Sequence, residues 1–283
     1  MDYKSIIIAS PPRTGTVWTL NILKEIFLSQ KINVVPERIL RSEKESLQYH
    51  FNNIGSIKND SISIIKIEET FLKEDDVKKT KLILNFRDPR DISISFGRFM
   101  NMENFTVDTM LRLIKSYIKW IEYYRKKFSG KQLLEINFLQ ISNQPLKVIK
   151  QIESFLNLKI SEDIAIQIIA KFSKNNVLKI IKKKEKYIKE ALGKEHAKRQ
   201  SSGKITTISL QQLISESSTI NEDDLVINKN NIRVFDNNTG FQTGHVSSSN
   251  YQEGDWKNLF TKSEVNVIND SFKEWFKLNK LLI

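Results

Sequence analysis

Cysteine is absent from this 283-residue chain, which excludes disulfide staples and thiolate metal sites alike. Proline and glycine are sparse, at 5 and 9 residues, so each one placed in a loop is informative. Histidine is sparser: His50, His196 and His245 are the full set. No apolar run approaches the roughly 18 residues that a membrane-spanning helix requires. Met1-Asp2-Tyr3-Lys4 leads directly into a strand-like segment, so no secretory leader is expected. Acidic side chains are in deficit, 33 against 45 basic ones, for a formal net charge of +12.

A basic chain invites a nucleic-acid reading. Here the lysines are spread along a sequence also rich in Ile and Asn, the pattern an AT-biased coding sequence yields without selection for polyanions. The exception is 179–198, where Lys182-Lys183-Lys184, Lys186, Lys189, Lys194 and Lys198 crowd together. Ile180, Ile181, Tyr187, Ile188 and Leu192 give that segment one apolar helical stripe. It reads first as a solvated helix face. A site for an anionic donor or acceptor stands second, and nucleic acid is the least favoured reading.

Strand-like runs at 5–9, 62–67, 82–86 and 133–138 alternate with helical patterns, which predicts a parallel sheet covered on both faces. Trp18, Ile22, Leu23, Ile26 and Phe27 give the first helix an apolar face. A helix over about 106–128 turns Leu111, Ile114, Ile118, Ile121 and Tyr124 inward, with Gly130 closing it. Pro145 suits a first helical turn. A last helix over about 262–279 buries Val265, Ile268, Phe272, Trp275 and Phe276. Residues 199–250 are polar and rich in Asn, Ser and Gly, read as an irregular excursion: a lid over the site, or spacer. A single α/β domain spanning 1–283 is expected, with about 175–250 variable.

Two strand ends carry the chemistry. The first strand breaks at Ser10-Pro11-Pro12-Arg13-Thr14-Gly15-Thr16-Val17-Trp18 and restarts as a helix, aiming free backbone N–H groups at one point. Orphan donors and the helix dipole together favour an anion there. The third run ends at Arg87, with Ser95 just over two helical turns on, so both can face a second anion. Anion sites at neighbouring strand ends suit a nucleotide with phosphates at both ends. A Walker-type loop fits less well, because Gly15-Thr16 lacks the lysine such a loop needs. Asp88 follows an apolar strand as a metal-binding aspartate would, but Arg87 is the wrong neighbour for Mg²⁺.

These residues resemble the PAPS-dependent sulfotransferases, whose donor is 3′-phosphoadenosine-5′-phosphosulfate. The resemblance extends through 133–158 and to Gly254-Asp255-Trp256-Lys257-Asn258-Leu259-Phe260-Thr261, and is absent between about 175 and 245. It implies a P-loop-like fold of the soluble, cytosolic type, metal-free sulfuryl transfer, and a small organic acceptor bearing a hydroxyl or amine. No membrane partner is expected. Arg13, Thr14, Gly15, Thr16 and Val17 would then hold the 5′-phosphosulfate, with threonine hydroxyls as added donors. Arg87 and Ser95 match the 3′-phosphate ligands; Ser93 and Arg90 nearby are either further contacts or exposed surface residues. Trp18 would stack on the adenine and Phe172 would lie on its other face, unless Phe172 belongs to the core.

The pattern departs from the family at two places. Arg-Lys-Gly is missing before the C-terminal block, leaving Ser248, Ser249 and Asn250 to close over the 3′-phosphate with neutral groups, or lysines of 179–198 to supply the charge. Lys66 matches the lysine of the family's Lys-x-His, but Glu68 stands where the histidine would be. Glycan-modifying relatives use a carboxylate base, so Glu68 is the leading base, with Glu69 and His245 as alternatives. Burial would have to raise its pKa, and Lys66 would oppose that if too close. A P-loop kinase and a nucleotide binder without catalysis are the rival functions. Acceptor contacts fall to variable loops, including the Phe- and Met-rich stretch 97–105. The dimer motif keeps Lys257 and Thr261 only, so oligomeric state stays open.

Overall fold

The computed structural model describes residues 3–40, 42–58, 60–68, 71–72, 79–128, 130–201, 225–228, 231–243 and 253–281. Strands β1 (Ser5–Ala9), β2 (Asn33–Val35), β3 (Ser61–Ile67), β4 (Thr80–Phe86) and β5 (Leu133–Asn137) form one parallel sheet in the order β2-β3-β1-β4-β5. A separate antiparallel hairpin pairs β6 (Leu225–Asn228) with β7 (Asn231–Val234). The helices are α1 (Thr16–Ser29), α2 (Glu43–Asn53), α3 (Pro89–Phe99), α4 (Val107–Lys127), α5 (Phe138–Asn143), α6 (Pro145–Leu156), α7 (Glu162–Lys171), α8 (Lys174–Ser201), α9 (Lys262–Ser271) and α10 (Lys273–Leu278).

Strand alternation divides the core between the two sheet faces. Ile6, Ile8, Ile62, Ile64 and Ile83 pack on one side with Leu23 and Ile26 of α1 and Ile149 and Ile152 of α6. Ile7, Ala9, Ile65, Ile67, Leu82 and Leu84 face the other way, onto Trp120, Ile121 and Tyr124 of α4. Burial on both faces is why β1, β3 and β4 carry isoleucine or leucine on both sides of the strand rather than on one side only. Each buried isoleucine or leucine among them contributes about 1.5–3 kcal/mol relative to exposure.

Several elements depart from the sequence reading. The short edge strand β2 pairs with β3 through Val34 and Ile62. The helix expected over 262–279 is two helices, parted at Phe272, whose φ of −133° is not helical. Gly130 lies beyond the end of α4: Phe128 is the C-cap, and Gly130 opens a 3₁₀ turn instead. Basic segment 179–198 is helical within α8, with Ile181 and Ile188 buried, but Tyr187 is 50% exposed and stands off the apolar stripe. The excursion is also less irregular than expected. Leu225 and Val234 of the hairpin pack on Ile188 and Ala191 of α8, and Phe235 and Phe241 join the main core.

Candidate active site

Because β1, β3, β4 and β5 run parallel, their carboxyl ends share one edge of the sheet. Sheet order steps away from β1 in both directions, to β3 and to β4, so β1 marks a topological switch point. Ligands in open α/β sheets sit in the crevice outside such strand ends. The loop from β1 into α1, Glu68 after β3, Arg87 after β4 and Phe138 after β5 all meet there.

Arg13 and Gly15 both take left-handed backbone conformations, at φ 67° and 85°. This twist turns successive N–H groups toward one concavity. The φ of Gly15 favours glycine, and a Cβ there would stand 2.9 Å from Ile141 Cδ1 and 3.3 Å from Phe138 Cδ2, pushing on both side chains. Gly15 is the N-cap of α1 and brings no side-chain acceptor, which leaves the first-turn N–H groups, Thr16 and Val17 among them, for an anion. The Thr14 hydroxyl, expected as a further anion donor, instead donates inward to the Pro11 carbonyl at 2.7 Å. Asn85, near the end of β4, braces the same loop. Its Nδ2 donates to the Thr14 carbonyl at 3.2 Å, and its backbone N–H donates to Ser10 Oγ at 2.7 Å.

Arg87 is 8% exposed and lies with its guanidinium carbon 4.5 Å from the centre of the Phe138 ring. Its Nη1 donates to the Arg13 carbonyl at 3.2 Å, while its buried Nε has no hydrogen-bond partner. Arg13 Nε in turn donates to Ser95 Oγ at 3.1 Å. Arg13, Arg87 and Ser95, separate in sequence, thus form one connected group. Desolvation, then the charge of Arg87, lower the Arg13 pKa to about 10, opposed by Glu68 and assisted by Arg233. At neutral pH the side chain remains a cation.

Glu68 sits directly after β3, its backbone N–H donating to Glu43 Oε2 at 2.9 Å. Its Oε1 lies 3.3 Å from Lys66 Nζ, both side chains partly exposed. Lys66, Glu68 and Arg13 therefore share one side of the crevice. Trp18 is partly buried against the main core. Phe172 is 3% exposed and packs beside Phe241 at 6.4 Å between ring centres, the core placement the sequence left open. Glu69, His245, Ser248, Ser249 and Asn250 lie outside the described residues.

Of the two readings of Ser93 and Arg90, surface exposure is overturned. Ser93 is fully buried and donates to the Pro89 carbonyl at 2.7 Å. Arg90 is 2% exposed and forks onto Asp88, with Nη2 2.6 Å from Oδ2. It also donates to Asn269 Oδ1 and to the Leu281 carbonyl, and lies over the rings of Trp256 and Phe276. Asp88, which also caps α3 by accepting from Arg90 N–H, has its oxygens engaged in this fork. Sequence reasoning missed Asn85, Asp91 and Arg233. Buried Asp91 accepts from the Gly254 N–H at 3.1 and 3.2 Å, docking the Gly254-Asp255-Trp256 block on α3. Arg233 of β7 stacks on Phe99, the last residue of α3. A polar residue inside an otherwise apolar strand was the available signal for Asn85; Arg233 had none.

The fold and site define an α/β protein with a glycine-bearing strand-to-helix loop at the switch point of a parallel sheet and a buried arginine at the end of the neighbouring strand. The sulfotransferase domain family matches residues 3–209, and the chain belongs to that family. Amine sulfotransferase of Oryctolagus cuniculus is 25% identical over 174 residues, 56% of this chain and 58% of the relative. Sulfotransferase 6B1 of Mus musculus is 25% identical over 130 residues, 44% of this chain and 39% of the relative. The matched segments therefore span less than two thirds of either relative. Mouse sulfotransferase SULT7A1, solved as a complex with PAP, superposes with a TM-score of 0.57 at 16% identity over 97% of this chain and 84% of that one. Retinol dehydratase, solved with androsterone and inactive cofactor PAP, gives 0.55 at 12% identity over 97% and 81%. Both show the shared fold.

Proposed function

We propose that this protein transfers the sulfuryl group of PAPS to a hydroxyl or amine of a small organic acceptor and releases 3′,5′-ADP. The observation that carries this reading is the buried, unpartnered Nε of Arg87, a side chain linked through the Arg13 carbonyl to the Arg13–Ser95 pair. A buried guanidinium donor left unmade is costly, and a phosphate oxygen would satisfy it. The donor set fits such a nucleotide: Arg87 and Ser95 for the 3′-phosphate, and the Arg13–Val17 loop for the 5′ end. The solved neighbours named with PAP, at low identity, are consistent with it.

In this reading Glu68 accepts the proton of the acceptor group as that group attacks sulfur. The new bond runs from acceptor to sulfur, the bridging bond from sulfur to the 5′-phosphate oxygen breaks, and its electron pair leaves with 3′,5′-ADP. Arg13 and the first N–H groups of α1 stabilise the charge that develops there. The Lys66–Glu68 ion pair favours one alternative, a nucleotide binder without turnover, because the carboxylate is already engaged.

Calorimetry with 3′,5′-ADP and with ATP, each with and without Mg²⁺, tests the donor. Metal-independent binding of 3′,5′-ADP in preference to ATP is expected, and Mg²⁺-dependent ATP binding in its place would overturn the reading. Release of 3′,5′-ADP from PAPS in the presence of phenolic and amine acceptors then separates enzyme from binder.

A further inference from the structure

A third guanidinium reaches this site from outside the matched family segment. Arg233 is 7% exposed, and its guanidinium carbon lies 3.7 Å from the centre of the Phe99 ring. Arg13 lies over the same ring at 4.9 Å. Two cations share one aromatic platform, an arrangement that burial and like charge both oppose. Arg233 is desolvated enough that its pKa is lowered, and its charge helps to lower that of Arg13. Among the described residues no carboxylate is within ion-pair distance of Arg233. Its Nη2 donates to the Phe99 carbonyl at the end of α3, which engages only part of a five-donor fork.

The position is built. Val234, the next residue, packs with Leu225 onto Ile188 and Ala191 of α8, and Thr243 donates to Glu185 of the same helix at 2.9 Å. Val234 N–H also donates to Thr243 Oγ1. The hairpin is thereby held on α8, and Arg233 is carried to the far end of α3 from Arg87.

The proposed donor accounts for the other cations, with Arg13 at its 5′ end and Arg87 at its 3′-phosphate. Arg233 shares the Phe99 ring with Arg13, where the sulfuryl end of the donor and the attacking acceptor would meet, and so stands where a counter-ion from the second reactant can reach it. Building on the sulfotransferase reading, we infer that Arg233 determines acceptor specificity by pairing with an anionic group, such as a carboxylate, carried by the acceptor beside Phe99. An acidic phenol or amino acid derivative fits this chemistry. A neutral lipid-like alcohol does not.

Matched acceptors test it. Turnover of PAPS is measured with 4-hydroxybenzoate and 4-hydroxyphenylacetate against their methyl esters, for the wild type, Arg233→Gln and Arg233→Lys. The wild type is expected to favour the carboxylates in kcat/KM by about tenfold or more, the scale of one charge-assisted hydrogen bond. Arg233→Gln should bring that ratio near one, and Arg233→Lys should restore part of it. The ratio does not depend on how much of a variant folds. Equal use of acid and ester by the wild type, or no turnover of either carboxylate, overturns the inference. An unchanged ratio in Arg233→Gln reduces Arg233 to a cap for α3. A raised KM for PAPS with unchanged 3′,5′-ADP affinity would place Arg233 on the sulfuryl group and likewise overturn it. Failure to bind 3′,5′-ADP at all defeats the sulfotransferase reading instead, so the two failures are distinct.

Discussion

Arg87 Nη1 donates to the backbone carbonyl of Arg13 at 3.2 Å, so the cation ending β4 helps to position the loop that follows β1. The two arginines are mechanically coupled but chemically distinct, and substitution should separate them. Arg87→Ala is expected to weaken 3′,5′-ADP binding by about 10- to 100-fold, the effect of losing a charge-assisted contact. Arg13→Ala should lower kcat by about 10²–10³ with a smaller loss of donor affinity, because the backbone N–H groups of the loop remain. Calorimetry and steady-state kinetics on the two variants check this; identical profiles would merge their roles.

Glu68→Gln keeps the size of the side chain and removes its capacity to take a proton. Turnover should fall by about 10²–10⁴ while 3′,5′-ADP affinity holds. The same change removes the opposing charge that favours protonated Arg13, so the alkaline limb of any pH–rate profile should move to lower pH. Near-normal kcat in this variant would transfer the role of base to Glu69 or His245.

Arg90→Ala leaves Asp88 buried without its counter-charge and empties the space between Trp256 and Phe276. Breaking a buried pair on one side costs about 3–5 kcal/mol. Urea denaturation should show that loss. A shift below about 1 kcal/mol would mean the pair is effectively solvated.

A pH dependence of stability near neutrality is expected from Glu253. Partial desolvation, then the negative charges of Asp91 and Asp88, push its carboxyl up to about 7, against the pull of Arg87 and Arg90. The folded state therefore holds a proton that the unfolded state has already released, and stability from this group falls as pH rises from about 4.5 to 7. Glu253→Gln should melt about 1–2 °C above the wild type at pH 8 and level with it near pH 4, a small effect because the side chain is exposed. Melting curves at the two pH values decide it; a gap of equal size at both would assign the effect to something other than ionisation.

Much of the fold was legible because β1, β3 and β4 are buried on both faces, and such strands leave runs of Ile and Leu that stand out from their surroundings. β2 was not, since Asn33-Val34-Val35 is too short and mixed to show a period. Apolar spacing from Val265 to Phe276 runs smoothly across the break at Phe272, so helical periodicity alone could not reveal two helices there. In the site, the Arg13 loop and the interval from Arg87 to Ser95 were readable as motifs. The burial of Arg90 was not, because it depends on Trp256, Asn269, Phe276 and Leu281, which only tertiary structure brings to it. Arg233 was hidden for a similar reason: it is one basic residue in a polar, Asn-rich stretch, and its placement rests on the hairpin's packing against α8.

The fastening of α3 sets an order of events during synthesis. Gly254 bonds to Asp91, and Asn269 and Leu281 bond to Arg90, so the helix bearing Ser95 is locked by residues translated after the entire parallel sheet. A chain that extends only through β5 includes every strand of the sheet and the Arg13–Val17 loop, but lacks Trp256, Asn269, Phe276 and Leu281, which cover Arg90 in the finished protein. In the proposed reading, the placement of Ser95 toward the nucleotide is therefore completed only once the segment around Trp256 has been made and packed against α3.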